Sequence, residues 1–529
     1  MLSRLALALT ILFCGISSGS ADDTRKLPYD IAPGFRTTSV IEKDLVPFPI
    51  HSHCLDDAGR LFVADHKNRI FRLADSNQDG VYDKKRKFAD GPDNLGGMLW
   101  LVDSLIVTGH PGLLMLMDEN ADGKAEVTET LVDGFDFTSV RPTPPMLHPD
   151  GRVHWAHSAT KVVIPAELPG EPEYSAADAA HWSCQISGGD LRRFTGTQPF
   201  PIHDLVTNVS GDLIARSHGK AYRVAPTQSV DLAPNENIDF FSPIQPKNSK
   251  SKPYPIAPTA DGDWLALAEG EVLRITLDSA STPFTPFPYR DMRGWHRLQT
   301  ADLIELLDAD SAYVCERSMK EFAIRGAVSI TALRDLFESG KGTPQAKRNA
   351  IWTLSRMKFS ESPDLIFTML SDANPTVQQA ACKALAVTRG WQNIAIHQPY
   401  ELKFELERND TIAGALIQLV RTAEDQVARD AVWALGEMAD PRAIGAMITR
   451  AGQPDTSKFL FRDITHALIQ IDDFETTALA LESENPRKQA TALYALSRMS
   501  SGQLTKRLWK PFADSPHPLL RQVIDSLSQ

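Results

Sequence analysis

Residues 60–91, RLFVADHKNRIFRLADSNQDGVYDKKRKFADG, and residues 104–134, SLIVTGHPGLLMLMDENADGKAEVTETLVDG, repeat one pattern 43 residues apart. Each holds three short β-forming runs separated by turn signals, and a period in the low forties with several strands per unit is the signature of a β-propeller blade. The turn-and-strand pattern G-[RD]-[LVW] returns at Gly59, Gly151, Gly211 and Gly262, with a degenerate copy over 98–109. Five blades are therefore expected, six if one copy has decayed. Third strands should end near Ala74, Met117, Phe194, Val224 and Thr276. The last unit lacks a fourth strand before the Pro-rich stretch 279–290, whereas a β-like run at 35–41 (FRTTSVI) precedes the first. Pairing the two would close the ring and remove exposed edges.

In a propeller the turns between strands one and two, and between three and four, lie on one rim. The loop between strands two and three, and the approach to strand one, lie on the other. Aligning the turn glycines puts His66, Ser158, His218 and Glu269 in equivalent loops, joined by His110 of the degenerate copy, with His157 one residue earlier. The same alignment puts His51, Thr143, His203 and Tyr254 at the approaches to the inner strands, with His53 and Arg141 close by. These sets share a rim. Imidazole serves as base, acid or ligand near neutral pH, so converging histidines define a candidate site; a repeat that copies a harmless surface histidine is the alternative.

The opposite rim carries two acidic loops. Asp75, Asn77, Asp79 and Asp83 surround Gly80, and Asp118, Asn120, Asp122 and Glu126 surround Gly123, the oxygen spacing that wraps calcium. Glu129 stands at position 12 of the second loop, where the first has Arg86. Metal-free Asx/Gly turns would use the same residue types. Calcium in either loop would be a structural staple.

From about residue 300 the hydrophobic period becomes 3.6. A small-residue pattern recurs at Ala350-Ile-Trp-Thr-Leu354, Ala381-Cys-Lys-Ala-Leu385, Ala431-Val-Trp-Ala-Leu435, Ile464-Thr-His-Ala-Leu468, Ala492-Leu-Tyr-Ala-Leu496 and Val523-Ile-Asp-Ser-Leu527. This spacing predicts a HEAT-type α-solenoid, with an insertion over 391–408 and with surface offered to a protein partner. The resulting division is 1–21 signal peptide, 22–33 extension, 34–278 propeller, 279–299 linker and 300–529 solenoid.

The 529 residues, 42% hydrophobic and 23% charged, fit an ordinary multidomain globular protein. The net charge of −12 argues against nucleic acid as a partner. A basic start, an apolar run over 5–13 and small residues over 15–21 read as an export signal cleaved after Ala21, giving a periplasmic or extracellular protein. Cys14 admits lipidation, although Phe13 before it suits that processing poorly. No later segment reaches the ~20 apolar residues of a membrane span. Cys54, Cys184, Cys315 and Cys382 form neither a zinc nor a CxxCH haem spacing; one bridge between Cys54 and Cys184 and buried free thiols are both open.

Signal, blades with D-x-N-x-D-G turns (GRLFVAD…NRIFRLADSNQDG), then repeats of the NAIWTLSRM type: in this order the chain, over roughly 34–527, resembles the secreted bacterial family described as membrane-bound dehydrogenases, whose propeller is similar to glucose and sorbosone dehydrogenases. The resemblance implies pyrroloquinoline quinone in the propeller. It also implies a separate electron acceptor, because the cytochrome c that many members carry has no counterpart here. A quinone with three carboxylates needs cationic clamps and a base. Arg141, Lys67, Arg69 and Lys220 are the basic candidates, and His51, His157 or His203 the base, with His53, His66, His110 and His218 beside them. Three readings stand: a quinoprotein-like oxidoreductase acting on a sugar or other alcohol; a non-catalytic scaffold binding protein or glycan; and a transition-metal centre of His51, His53, His203 and the loop histidines.

Overall fold

The computed structural model describes residues 29–32, 34–47, 49–56, 59–77, 79–101, 103–149, 151–164, 174–177, 179–188, 191–195, 202–207, 213–217, 220–224, 236–238, 244–246, 256–258, 263–277, 292–309, 312–357, 359–392 and 399–528. Residues 1–21, His218 and Tyr254 lie outside them, as do the side chain of Lys220 and most of the expected linker.

The N-terminal half is propeller-like. Five four-stranded antiparallel sheets follow one another along the chain. The first is Ile50–Leu55, Leu61–Asp65, Arg69–Ala74, Lys84–Asp90; the second Gly97–Leu101, Ser104–Gly109, Gly112–Met117, Val127–Val132. The third is Met146–Leu147, Val153–His157, Ala180–Cys184, Arg192–Thr195; the fourth Asp204–Thr207, Leu213–Ser217, Lys220–Val224, Glu236–Ile238. The fifth is Ile256–Pro258, Trp264–Ala268, Glu271–Leu277, and its outer strand is Phe35–Ser39, paired Phe35 to Leu277 through Ser39 to Leu273. The early run therefore completes the last sheet, as its β-forming composition suggested.

Packing between sheets follows from strand parity. Second strands are buried on both faces, as in Leu61–Asp65 and Val153–His157, because each sheet is covered by two neighbours. Ile50, Val63 and Leu73 pack on Leu265 and Leu267 of the fifth sheet. Phe62 and Ile70 pack on Met98, Leu105 and Leu116 of the second, Leu113 and Val132 on Trp155 and Trp182 of the third, and Ala156 on Leu205 and Leu213 of the fourth. The outer strand Lys84–Asp90 is lined by exposed Lys84, Lys85, Arg86 and Lys87, charges that discourage edge-to-edge pairing with another chain.

One strand expectation was misplaced. In the third sheet Arg192–Thr195, expected as the third strand, is the fourth; the third is Ala180–Cys184, reached after an inserted hairpin of Val162–Ile164 and Tyr174–Ala176. The five residues AHWSC are buried on both faces although they alternate apolar and polar, and the inserted hairpin displaces them from the repeat spacing. The thiols of Cys54, Cys184, Cys315 and Cys382 are all free and buried.

The C-terminal half contains fifteen α-helices among the described residues. Met292–Arg297 begins inside the expected linker, and most of the expected insertion is helical, ending Pro375–Gln392 and opening Pro399–Thr422. The helices that carry the repeated pattern, Pro344–Met357, Pro375–Gln392, Asp425–Glu437, Lys458–Ile471, Pro486–Leu496 and Pro518–Ser528, pack in series. Fully buried Ala350, Ala381, Ala431 and Ala492 allow the close approach. Carboxylates tie neighbours: buried Asp430 accepts from Gln379 at 2.7 Å and pairs with Lys383 at 3.4 Å, and half-buried Asp463 accepts from Arg429 at 2.7 Å. Asn485 caps its helix by accepting from the N–H groups of Arg487 and Lys488.

The halves touch at the turn between the first two strands of the third sheet. Arg356 donates Nε to the Pro149 carbonyl at 2.9 Å while its other nitrogens fork onto Glu316 at 2.8 and 3.1 Å. The His148 ring lies edge-on to Trp352 at 6.2 Å. That turn belongs to the rim of the acidic loops, so the helical half leans on the rim opposite the histidines.

Candidate functional site

His51 opens the innermost strand of the first sheet, and the loop between the second and third strands folds beside it. Asn68 sits there with φ +58°, a left-handed conformation that asparagine tolerates. Its N–H donates to the Asp65 carbonyl and its own carbonyl accepts from Gly91. So held, Asn68 Oδ1 meets His51 Nε2 at 3.1 Å. With Oδ1 as acceptor, Nε2 carries the hydrogen and Nδ1 keeps the lone pair; Nδ1 is buried and has no partner among the described residues. Burial, then the charge of Arg141, push the imidazole pKa down to about 4, with Asp65 opposing and His66 adding to the fall. His51 is thus a neutral acceptor at pH 7.

Arg141 stands in no ion pair among the described residues, and neither does the exposed Lys67 ammonium. Arg69 differs: Asp65, itself buried, accepts its Nε at 2.8 Å and its Nη2 at 2.5 Å, as well as the N–H groups of Lys67 and Arg69. That guanidinium is a fixture of the loop rather than a clamp.

Two positions further along the inner strand, His53 faces the fifth sheet, where its ring bonds the Leu265 carbonyl and its Nε2 is buried without a partner among the described residues. Burial lowers its pKa to about 4 against the opposing carbonyl bond and the charge of Asp204. Asp204 forms a buried ion pair with Arg216 in the fourth sheet. First, fourth and fifth sheets therefore meet around His53. His203 and Thr143 do occupy equivalent places: each donates its N–H to a second-strand carbonyl, Arg216 at 3.0 Å and Ala156 at 2.8 Å. His110 lies in the second sheet's loop on the same rim, its Nδ1 buried and unpartnered among the described residues; His66 is exposed.

His157 is not at the mouth. It shares the parity of Val153 and Trp155 and is buried among Phe135, Phe137 and Trp182. Nδ1 lies 2.8 Å from the Ser158 carbonyl and Nε2 accepts from the Trp182 indole at 2.9 Å, which uses both nitrogens. The charges of Arg141, Asp65 and His66 thus act on His51, whereas His157 lies in the core. Asn68 escaped sequence reasoning, although an Asn at the corner of a three-residue loop was a visible signal. So did the buried contact of His154 Nδ1 and His181 Nε2 at 3.0 Å, with the His148 ring tilted against His154 at 4.9 Å.

The acidic loops share a frame. The N–H of Gly80 donates to Asp75 Oδ2 and that of Gly123 to Asp118 Oδ2, both at 2.8 Å; Asp79 and Asp122 donate backbone N–H groups to Asn77 and Asn120. Only the second gathers its carboxylates: oxygens of Asp118, Asp122 and Glu126 lie within 4.8 Å of one another, the one such group of three among the described residues. No three histidines among the described residues do the same. Glu129, expected at position 12, lies on the outer strand opposite Met115 and outside that group.

A family profile described as "Domain of unknown function (DUF7133)" matches residues 27–203. No curated protein matches the chain. Among solved structures, it is similar to the holo form of the pyranose dehydrogenase PQQ domain from Coprinopsis cinerea at 11% identity, covering 48% of this chain and 98% of that one, with TM-score 0.30. It is also similar to a Trichoderma reesei protein of Carbohydrate-Active Enzymes Family AA12 at 10% identity, covering 49% and 100%, with TM-score 0.28. A designed armadillo repeat protein is 16% identical over 38% of this chain and 99% of its own, with TM-score 0.23. These likenesses leave the assignment of function to the site itself. No helix among the described residues is long and apolar enough to cross a membrane.

Proposed function

We propose that the chain is an exported, periplasmic or extracellular quinoprotein-like oxidoreductase, a five-bladed propeller followed by a HEAT-type solenoid, that oxidises a sugar or other alcohol at the histidine rim. The observation that carries this reading is His51: a neutral imidazole, oriented by Asn68, with a buried lone pair beside an arginine that stands in no ion pair among the described residues. A hydroxyl proton has an acceptor there, and a carboxylate has a cation.

Pyrroloquinoline quinone, when bound, supplies a two-electron acceptor. The described residues suit it as follows. Arg141 and Lys67 would hold carboxylates, the nitrogens of His53 and His110 that have no partner among the described residues would offer further polar contacts, and His51 Nδ1 would take the substrate's hydroxyl proton. Neutralising Arg141 with a carboxylate removes a charge that depresses His51, so cofactor binding would strengthen the base. Titration of the purified full-length protein with the quinone, followed by absorbance, tests the reading: saturable binding weakened by Arg141→Gln supports it, and no binding sinks it.

A second reading, a non-catalytic scaffold that binds glycan on the rim and protein on the solenoid, is favoured by the engagement of Arg69 with Asp65. Among the described candidates two cations outside any ion pair, Arg141 and Lys67, would then face a cofactor with three carboxylates. Glycan binding without any quinone binding would select it.

A further inference from the structure

We infer that loop 118–126 binds one calcium ion through Asp118, Asp122 and Glu126, and that the ion clasps the first two sheets together on the rim opposite the histidines. Convergence of the three carboxylates is the first observation. Two oxygens on one calcium stand at most about 5 Å apart, given Ca–O distances of roughly 2.3–2.6 Å, so a gathering within 4.8 Å admits the ion without rebuilding the loop. Asp118 supplies the second observation. Its side chain is only 10% exposed, one oxygen accepts from Gly123, and the other, Oδ1, is buried with no partner among the described residues. A buried carboxylate oxygen left without a donor is costly unless a cation meets it.

Loop 75–83 has the same spacing and does not gather. There Asp83 is taken by Ser76, which donates its N–H at 2.8 Å and its hydroxyl at 2.5 Å. Glu119 replaces that serine in the second loop, where Glu126 accepts from the Glu119 N–H at 3.1 Å and from Asn120 Nδ2 at 3.0 Å, bonds that hold it beside Asp118 and Asp122.

The clasp follows from the neighbours. Arg72 and Arg86 of the first sheet reach into the second sheet's loop, Arg72 Nη1 at 3.8 Å from Asp118 and Arg86 Nη2 at 3.5 Å from Asp122. Ala125 donates its N–H to the Phe88 carbonyl at 2.9 Å. Arg72 lies so close over Gly123 that a Cβ there would stand 2.2 Å from Nη2. Ordering the carboxylates around an ion fixes this contact. The arginines are also competitors, since each already offsets part of the loop's negative charge.

Calorimetric titration of the EGTA-treated full-length protein with calcium chloride, alongside its melting temperature, decides the matter. One saturable site and a higher melting temperature are expected. Asp122→Asn and Glu126→Gln alter exposed side chains and should weaken binding by about tenfold or more, as expected when ligand charge is removed. Arg86→Gln should tighten it by up to about fivefold, the effect of a surface charge pair, while Asp79→Asn in the first loop should leave it unchanged. No saturable site, binding undiminished in Glu126→Gln, or equal loss in Asp79→Asn would each overturn the inference. Quinone binding at the far rim, measured without calcium, is a separate result.

Discussion

Acid should unfold this protein early, because three buried histidines stay neutral in the fold. His51 and His53 in the β half and His466 in the helical half all have pKa values lowered from 6.5 to about 4, burial being the first cause in each. Above pH 6.5 both folded and unfolded chains hold these imidazoles neutral, and no stability is at stake. As pH falls toward 4 the unfolded chain takes up protons that the folded chain refuses, so stability is lost across that window. At pH 5 each histidine costs about 2 kcal/mol, so the β half loses about 4 kcal/mol and the helical half about 2 kcal/mol, against a total of roughly 5–15 kcal/mol for a typical domain. Urea unfolding followed by circular dichroism at pH 8, 6 and 5 should show the midpoint falling steeply between the last two. Replacing His53 or His466 with glutamine should flatten the fall by about one third each. A midpoint unchanged from pH 7 to 5, or a His53→Gln variant with the full slope, would refute the reasoning.

Removing the imidazole of His51 as alanine should lower any quinone-dependent oxidation by about a hundredfold or more, the scale of general-base loss. Asn68→Ala should reduce the same rate while leaving quinone affinity in place, since Asn68 orients the base and touches no ligand. Arg356→Ala, which severs the fork to Glu316 and the bond to Pro149, should cost about 1.5–3 kcal/mol and split one thermal transition into two by calorimetry; a single unshifted transition would show that the halves do not depend on this contact. Gly123→Ala should destabilise by more than the about 1–2 kcal/mol of a left-handed alanine, because Arg72 must also move. Gly59→Ala, at φ +76° with open space around its would-be Cβ, should cost only that backbone term.

Much of the β half was legible because turn glycines repeat: Gly59 and Gly151 both adopt positive φ at the expected turns, and the run at 35–41 declared itself by composition. Ala180–Cys184 was hidden because an inserted hairpin displaces it from the repeat spacing. At the site, the equivalence of Thr143 and His203 was readable from alignment, and their backbone bonds agree. The fate of His157 was also readable in principle, since parity with Val153 and Trp155 sends it to the core. Arg69 was misjudged for a different reason: a basic residue at a loop end looks available until a buried acid four residues earlier is seen to claim it. Convergence in the second acidic loop but not the first is a detail that oxygen spacing alone does not contain.

Pairing of Phe35–Ser39 with Glu271–Leu277 gives the fold a deadline. The first strand of the ring waits with an unfilled edge until the last has been delivered, and most of the β half lies between them. Such distant pairing is slow to form, and the waiting strand is a template for any passing chain. If the chain is exported, as proposed, and crosses the membrane N-terminus first, the ring can shut only on the far side, after nearly all of its β half has arrived.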